Sequence, residues 1–250
     1  MRKEDLLSEV VKCAELYDKK LKDKNLMFVF QKRADNKLSY IESCFKAHNY
    51  LHLTGVSYNG KSAVQFYKEC INHKLRLVDI DFKTDGTTEQ KVKVLRNVVM
   101  IERTSRMIGD YIGAGKISLY TEKLAGNTTG CLGFVRKKGQ VEYIPNTALN
   151  QDIRDITHSP QEPVKAIFKK YIRDDKYNQI CYTAKKFDVS ILLNSSQISC
   201  RLNNDLSEKI KKTALLKNDN SQLDSSILPN EIPNLGGQGF GGIGGIGGML

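Results

Sequence analysis

His52 and Thr54, two residues apart in Tyr50-Leu51-His52-Leu53-Thr54-Gly55-Val56, are the pair that offers proton-transfer chemistry. An imidazole titrates near neutral pH and can take or give a proton. A hydroxyl beside it can donate a hydrogen bond to an oxyanion. Read as an extended segment, the stretch sends both side chains to one side, because side chains alternate with period 2 along a strand. Leu51, Leu53 and Val56 then anchor the other side, and Gly55 ends the run where the backbone needs positive φ or something approaches closely. The sequence has four histidines, His48, His52, His73 and His158, and His52 alone is framed by apolar residues and followed by a hydroxyl. It is therefore an acid/base candidate at a strand end. The competing reading is a half-buried histidine that only satisfies its own hydrogen bonds.

The elements that must position this pair follow from hydrophobic periodicity. Leu6, Leu7, Val10, Val11, Ala14, Tyr17 and Leu21 recur at helical spacing and predict a helix over residues 1–23. Leu26 to Gln31 and Leu38 to Phe45, joined by the turn signal Ala34-Asp35-Asn36-Lys37, predict a β-hairpin, with the His52 segment as a third extended piece. Ser62-x-x-Gln65 reads as a capping box opening a helix whose stripe is Ala63, Phe66, Tyr67, Cys70 and Ile71. Thr87-x-x-Gln90 reads as a cap for another, with stripe Val92, Leu95, Val98 and Val99, running into Arg103, Arg106 and Met107-Ile108-Gly109-Asp110-Tyr111.

From Lys116 the pattern turns to β. Predicted strands are Ile117 to Leu124, Cys131 to Arg136, Val141 to Ile144, Val164 to Ile172 and Gln179 to Ala184, separated by turns at Gly126–Gly130, Lys138-Gly139 and Asp174–Lys176. A basic amphipathic segment, Leu206 to Leu216, closes the folded body. Residues 218–234 are polar with two prolines and read as a linker. Nine of the thirteen residues 236–248 are glycine, a composition whose backbone entropy predicts a disordered tail. The expected organisation is one domain, residues 1–217, followed by the 218–250 appendage.

Charge narrows the partners. The chain of 250 residues has net charge +11 and pI ≈ 9.3. Residues 1–217 hold all 39 Lys and Arg and 25 of the 28 Asp and Glu, which is +14. Such a body attracts polyanions, nucleic acid first. The six cysteines are scattered, with no C-x-x-C pair and no histidine at zinc spacing, so neither a metal site nor a disulfide framework is expected. An amphipathic start in place of a secretory signal, and no apolar stretch of spanning length, predict a cytoplasmic protein with free thiols.

Taken in order, several short motifs resemble a known family. They are Tyr40-Ile41-Glu42, Leu51-His52-Leu53-Thr54-Gly55-Val56, Ser62 with Phe66-Tyr67, Met107 to Tyr111, Gly133-Phe134, Pro145-Asn146-Thr147-x-Leu149 with Asp152-Ile153, and Tyr177 with Tyr182-x-Ala184-Lys185. The chain resembles the phage-carried nucleases of the Barnase–EndoU–colicin–RelE superfamily over roughly residues 5–190. The resemblance implies an α+β fold, helices packed on a mostly antiparallel sheet, and a phage- or prophage-encoded, metal-independent endoribonuclease with no cofactor. Such an enzyme activates the ribose 2′-hydroxyl against its own phosphate. On that reading His52 is the acid/base group and Thr54 bonds a phosphate oxygen. Lys123 and Lys185, with Arg106, stabilise the developing charge, and Tyr182 stacks a base. The partners implied are RNA and an immunity or host protein. The alternatives are a non-catalytic nucleic-acid-binding or phage accessory protein, and an interaction protein directed at a host defence enzyme.

Overall fold

The strand β1 (Lys24–Gln31) carries an almost continuous apolar run, and the structure explains why. It lies inside a sheet with both faces covered, so every residue from Lys24 to Phe30 is buried. This is a computed structural model; it describes residues 1–113 and 121–225, with side chains up to 216. The glycine-rich segment, and the first half of the strand expected at Ile117 to Leu124, lie outside the described residues.

Helix α1 (Lys3–Lys20) buries Leu6, Val10, Ala14 and Tyr17 of the expected stripe, with Cys13 in addition, while Leu7 and Val11 are half-buried. The Lys24 ammonium bonds the carbonyls of Asp18, Lys19 and Lys22 at 3.0–3.4 Å and so satisfies acceptors left over at the helix end. The hairpin of β1 with β2 (Leu38–Phe45) forms as expected, in the register Met27↔Glu42. Then come α2 (Asn49–Thr54), β3 (Ser57–Tyr58), α3 (Ala63–Ile71), β4 (Ile80–Asp81), α4 (Thr87–Val99), α5 (Ile101–Thr104) and β5 (Met107–Asp110). The second half supplies β6 (Lys123–Gly126), β7 (Cys131–Val135), β8 (Ile144–Leu149), β9 (Glu162–Tyr171) and β10 (Gln179–Thr183), then α6 (Ser196–Ser199) and α7 (Asn204–Ser225).

The fold is α+β. The main sheet runs β2-β1-β9-β5-β6-β7-β8, every pairing antiparallel, with β10 on the free side of β9. It curls until its ends meet: Tyr143 N donates to Glu42 O and Cys44 N donates to Tyr143 O, at 2.8 and 3.0 Å. Helices α1 to α4 pack on the inner face around Phe28, Phe45, Tyr50, Phe66 and Phe134. The outer face of β1 and β9 (Met27, Val29, Ala166, Phe168) is covered by Leu192, Ile198, Leu202, Leu206 and Ile210 from the C-terminal elements. Residues 1–214 form one compact unit. In the second, 215–250, the described backbone continues α7 to Ser225, so the first residues of the expected linker are helical.

Two local expectations are corrected. The His52 segment is a helix, not a strand. Its buried residues are Asn49, Tyr50, Leu53 and Thr54, a 3.6-residue period that six residues are too few to separate from alternation. Gly55 ends it at φ 67°, the left-handed conformation anticipated for that glycine. Helix α4 is not capped by Thr87. Thr87 is already helical, and the Asp85 carboxylate accepts from its N–H and its hydroxyl at 2.9 and 2.7 Å. The Ser62 cap forms as read, its hydroxyl accepting from Gln65 N at 3.1 Å.

Candidate active site

Alternation along β2 sends Ile41, Ser43 and Phe45 to one face and Tyr40, Glu42 and Cys44 to the other. Asn25, one step before Met27 and Val29 on the same face of β1, lies opposite Cys44. The apolar outer face therefore turns polar at this end, and a cleft of about 570 Å³ opens there. Its walls include Glu42 and Glu142, with Lys46, His48, Lys137 and Arg201 around them.

Arg201 comes from the turn after α6 and closes one side. Its Nη1 donates to Glu42 Oε2 at 2.8 Å and its Nε to the Tyr40 hydroxyl at 2.7 Å, with the guanidinium 4.7 Å from the Tyr40 ring. Glu42 is buried, so this charge-assisted pair sits in reduced dielectric and fixes the guanidinium. Asn25 Nδ2 donates to Glu142, in a short contact. Tyr177 is buried beside them, and burial together with the Glu42 and Glu142 carboxylates pushes its hydroxyl pKa up. Burial also raises the Cys44 thiol to about 11, so it is not a thiolate nucleophile at neutral pH.

His48 is the N-cap of α2 and already has helical φ and ψ, so His52 lies one turn beyond it on the same face. Both imidazoles are exposed, and both pKa values lie below the usual 6.5. For His48 the causes are partial burial, then Lys46 and Lys137. For His52 they are partial burial, then Lys91, Lys83 and His48. Lys91 donates to the His52 carbonyl at 2.9 Å, and burial and Lys83 lower its own pKa to about 8. Two histidines are thus held toward their neutral form between two pairs of lysines.

The six residues singled out in the sequence are not brought to one place. Thr54 is fully buried; its hydroxyl donates to Leu51 O at 2.8 Å and accepts from Val56 N at 3.2 Å. It closes the helix and is not presented to a phosphate, which corrects the role expected of it. Arg106 and Tyr182 do meet, guanidinium over ring at 4.3 Å. Lys123 pairs with Asp110 at 2.6 Å across β5 and β6. Lys185 is exposed after β10. None of these lines the cleft. What the sequence reading missed is His48, Lys46, Lys137, Glu142 and Arg201. Glu42 lay inside a quoted motif, and the Tyr40/Glu42/Cys44 alternation could have marked it.

Among the described residues no three His, Cys, Asp or Glu side chains stand together as a metal-ligand group, and no helix is long and apolar enough to cross a membrane. All six cysteines are free thiols.

A curled antiparallel sheet backed by helices, with His48, two carboxylates, two lysines and an arginine around one cleft and His52 one turn away outside its lining, defines an α+β protein with a charged concave site. The family described as phage-Barnase-EndoU-ColicinE5/D-RelE like nuclease4 matches residues 9–186, and the chain belongs to it. No curated protein and no solved structure matches the chain. The matched range holds both histidines and both cleft carboxylates; Arg201 lies beyond it.

Proposed function

We propose that this nuclease is a metal-independent, phage-encoded endoribonuclease, and that the α2 face at the mouth of the cleft is where it acts. The observation that carries this is the pair of exposed histidines His48 and His52, one helical turn apart, with His48 lining the cleft beside Lys46 and Lys137 and the Lys91 ammonium bonded to the His52 carbonyl. One imidazole takes the proton of the ribose 2′-hydroxyl as its oxygen bonds to phosphorus. The other gives a proton to the departing 5′-oxygen as that P–O bond breaks, leaving a 2′,3′-cyclic phosphate and a 5′-hydroxyl. Lys46, Lys137 and the fixed Arg201 guanidinium supply positive charge to the phosphorane oxygens. His52 keeps the acid/base role assigned from sequence, now with His48 beside it. Arg106 with Tyr182, and Lys123 and Lys185, remain candidates for holding more distant parts of the substrate. RNA is the proposed substrate, and an immunity or host protein is a candidate for covering the cleft.

The test is a gel assay of single-stranded RNA with EDTA present, beside the same sequence as DNA. RNA should be cut to cyclic-phosphate ends and DNA left whole. His48→Gln and His52→Gln keep size and hydrogen bonding but cannot shuttle protons near neutral pH, so each should lose about 10²–10⁴ in rate. Undiminished cutting by a folded double variant would falsify the assignment. RNA binding by the wild type without any turnover would leave the non-catalytic binding reading.

A further inference from the structure

Lys46 lines the candidate active cleft and also a second cleft of about 770 Å³, whose other walls include Lys24, Tyr171 and Arg173. Lys19, Lys24 and Tyr171 are shared in turn with a third concavity of about 240 Å³. Shared lining residues set the three side by side as one grooved face, running from α2 past the C-terminal end of α1 to the end of β9.

The far concavity has an unusual wall. Lys19, Lys20, Lys24, Lys169 and Lys170 all face it, beside the neutral Tyr171, Asn178 and Gln179, and no carboxylate lines it. Lys24 and Lys169 are buried there. One carboxylate, Glu102, sits behind and pairs with Lys169 and with Lys20, the latter at 3.3 Å. The Lys24 ammonium is also held by three backbone carbonyls and that of Lys170 by the Asp175 carbonyl at 2.9 Å, but carbonyls carry no net charge, so Glu102 alone leaves a surplus of positive charge at this wall that attracts an anion. Outside the concavity, Arg173 stacks over Tyr171 at 5.3 Å and presents a guanidinium plane. Along the whole groove lysines and arginines outnumber carboxylates by more than two to one.

We infer that this lysine concavity is a backbone-phosphate subsite for the single-stranded RNA that flanks the scissile bond. The strand leaves the α2 face past Lys46, a base stacks on Arg173 over Tyr171, and a phosphate further along the chain settles among the five ammonium groups. The inference deepens the ribonuclease reading by naming the substrate as an extended single strand and fixing the side on which it continues.

Binding is measured separately from cleavage, by fluorescence anisotropy of RNA made uncleavable with 2′-deoxyribose, over a series of lengths and salt concentrations. Affinity of the wild type should step up once the strand is long enough to reach the concavity. Lys19→Gln with Lys170→Gln, both away from the buried Glu102 pair, should remove that step and lower the log–log salt slope by about 0.7 per lost phosphate contact. Lys12→Gln, an exposed lysine of α1 outside the groove, serves as the charge control and should retain both. A double variant that keeps the length step and the salt slope overturns the subsite, even if the protein cuts RNA. A step confined to duplex probes overturns the single-strand assignment. Retained binding without cleavage counts against the catalytic reading alone.

Discussion

At the scale of single residues, partial burial and, after it, the lysines set beside the two histidines govern the pH response. Each folded pKa is depressed, so each imidazole stays neutral until the pH falls below 6.5. A pair that needs one neutral and one protonated member works best between its two pKa values, which places the optimum on the acid side of 6.5. Salt screens the lysine contribution but leaves the burial contribution, so both pKa values should climb as salt is added. Proton NMR titration of the imidazoles reads this directly, and values at or above 6.5 that ignore salt would sink the idea. Glu102 obeys a different balance. Burial alone would raise its pKa, but Lys169 and Lys20 overcome that and hold it below 4.5. Its ion-pair stabilisation is therefore fully present above 4.5 and is lost as pH falls through the lower folded value. Glu102→Gln leaves the buried Lys169 ammonium uncompensated and should cost about 3–5 kcal/mol in denaturant unfolding, whereas replacing Glu102 and Lys169 together by apolar residues should cost far less.

At the scale of elements, α2 decides where the chemistry is presented. It is only six residues long and stands on its packing: Tyr50 and Leu53 are fully buried, and the Tyr50 hydroxyl donates to Val10 O at 2.6 Å. Gly55 then turns the chain, and its carbonyl accepts from the buried Thr88 hydroxyl at 2.7 Å. A Cβ on Gly55 would sit 2.7 Å from the Lys91 side chain in a left-handed conformation. Gly55→Ala should destabilise by about 1–2 kcal/mol and push Lys91 away from the His52 carbonyl, raising the Lys91 pKa above about 8. Unchanged melting and an unchanged Lys91 titration would refute this account. The same element marks the limit of sequence reading. The long stripes of α1, α3 and α4 were legible because each repeats its period often enough, and the β1–β2 hairpin because two strand-forming runs flank a turn signal. Six residues do not, so Leu51 and Leu53 passed for one side of a strand when Tyr50, Leu53 and Thr54 form the buried side of a helix. Sequence reading found His52 through its apolar frame. It could not find His48, whose partners Lys46 and Lys137 come together only when β2 meets the Tyr143 segment.

At the scale of the molecule, the candidate cleft and the groove are lined by residues within 1–214. A chain ending after Ser225 should keep its melting temperature to within a few degrees and its RNA affinity unchanged; a large drop in either would give the glycine-rich segment a structural part. Arg201 is the contact least visible in sequence, since Glu42 lies 159 residues away. The central pairing is similarly remote, with residues 24–30 of β1 bonded to residues 164–171 of β9. That arrangement sets an order in time. While the chain is being made, β1 and β2 are complete long before β9, and β1 must wait with one edge unpaired and its outer apolar face bare, since the residues that cover that face come from 192–210, a state open to misassociation. Such remote pairings also make folding slow once the chain is whole. Arg201 arrives later still. A growing chain can thus hold both histidines and both cleft carboxylates yet lack the guanidinium that closes one side of the cleft; under the proposed ribonuclease function, such unfinished protein would not yet be competent to cut RNA.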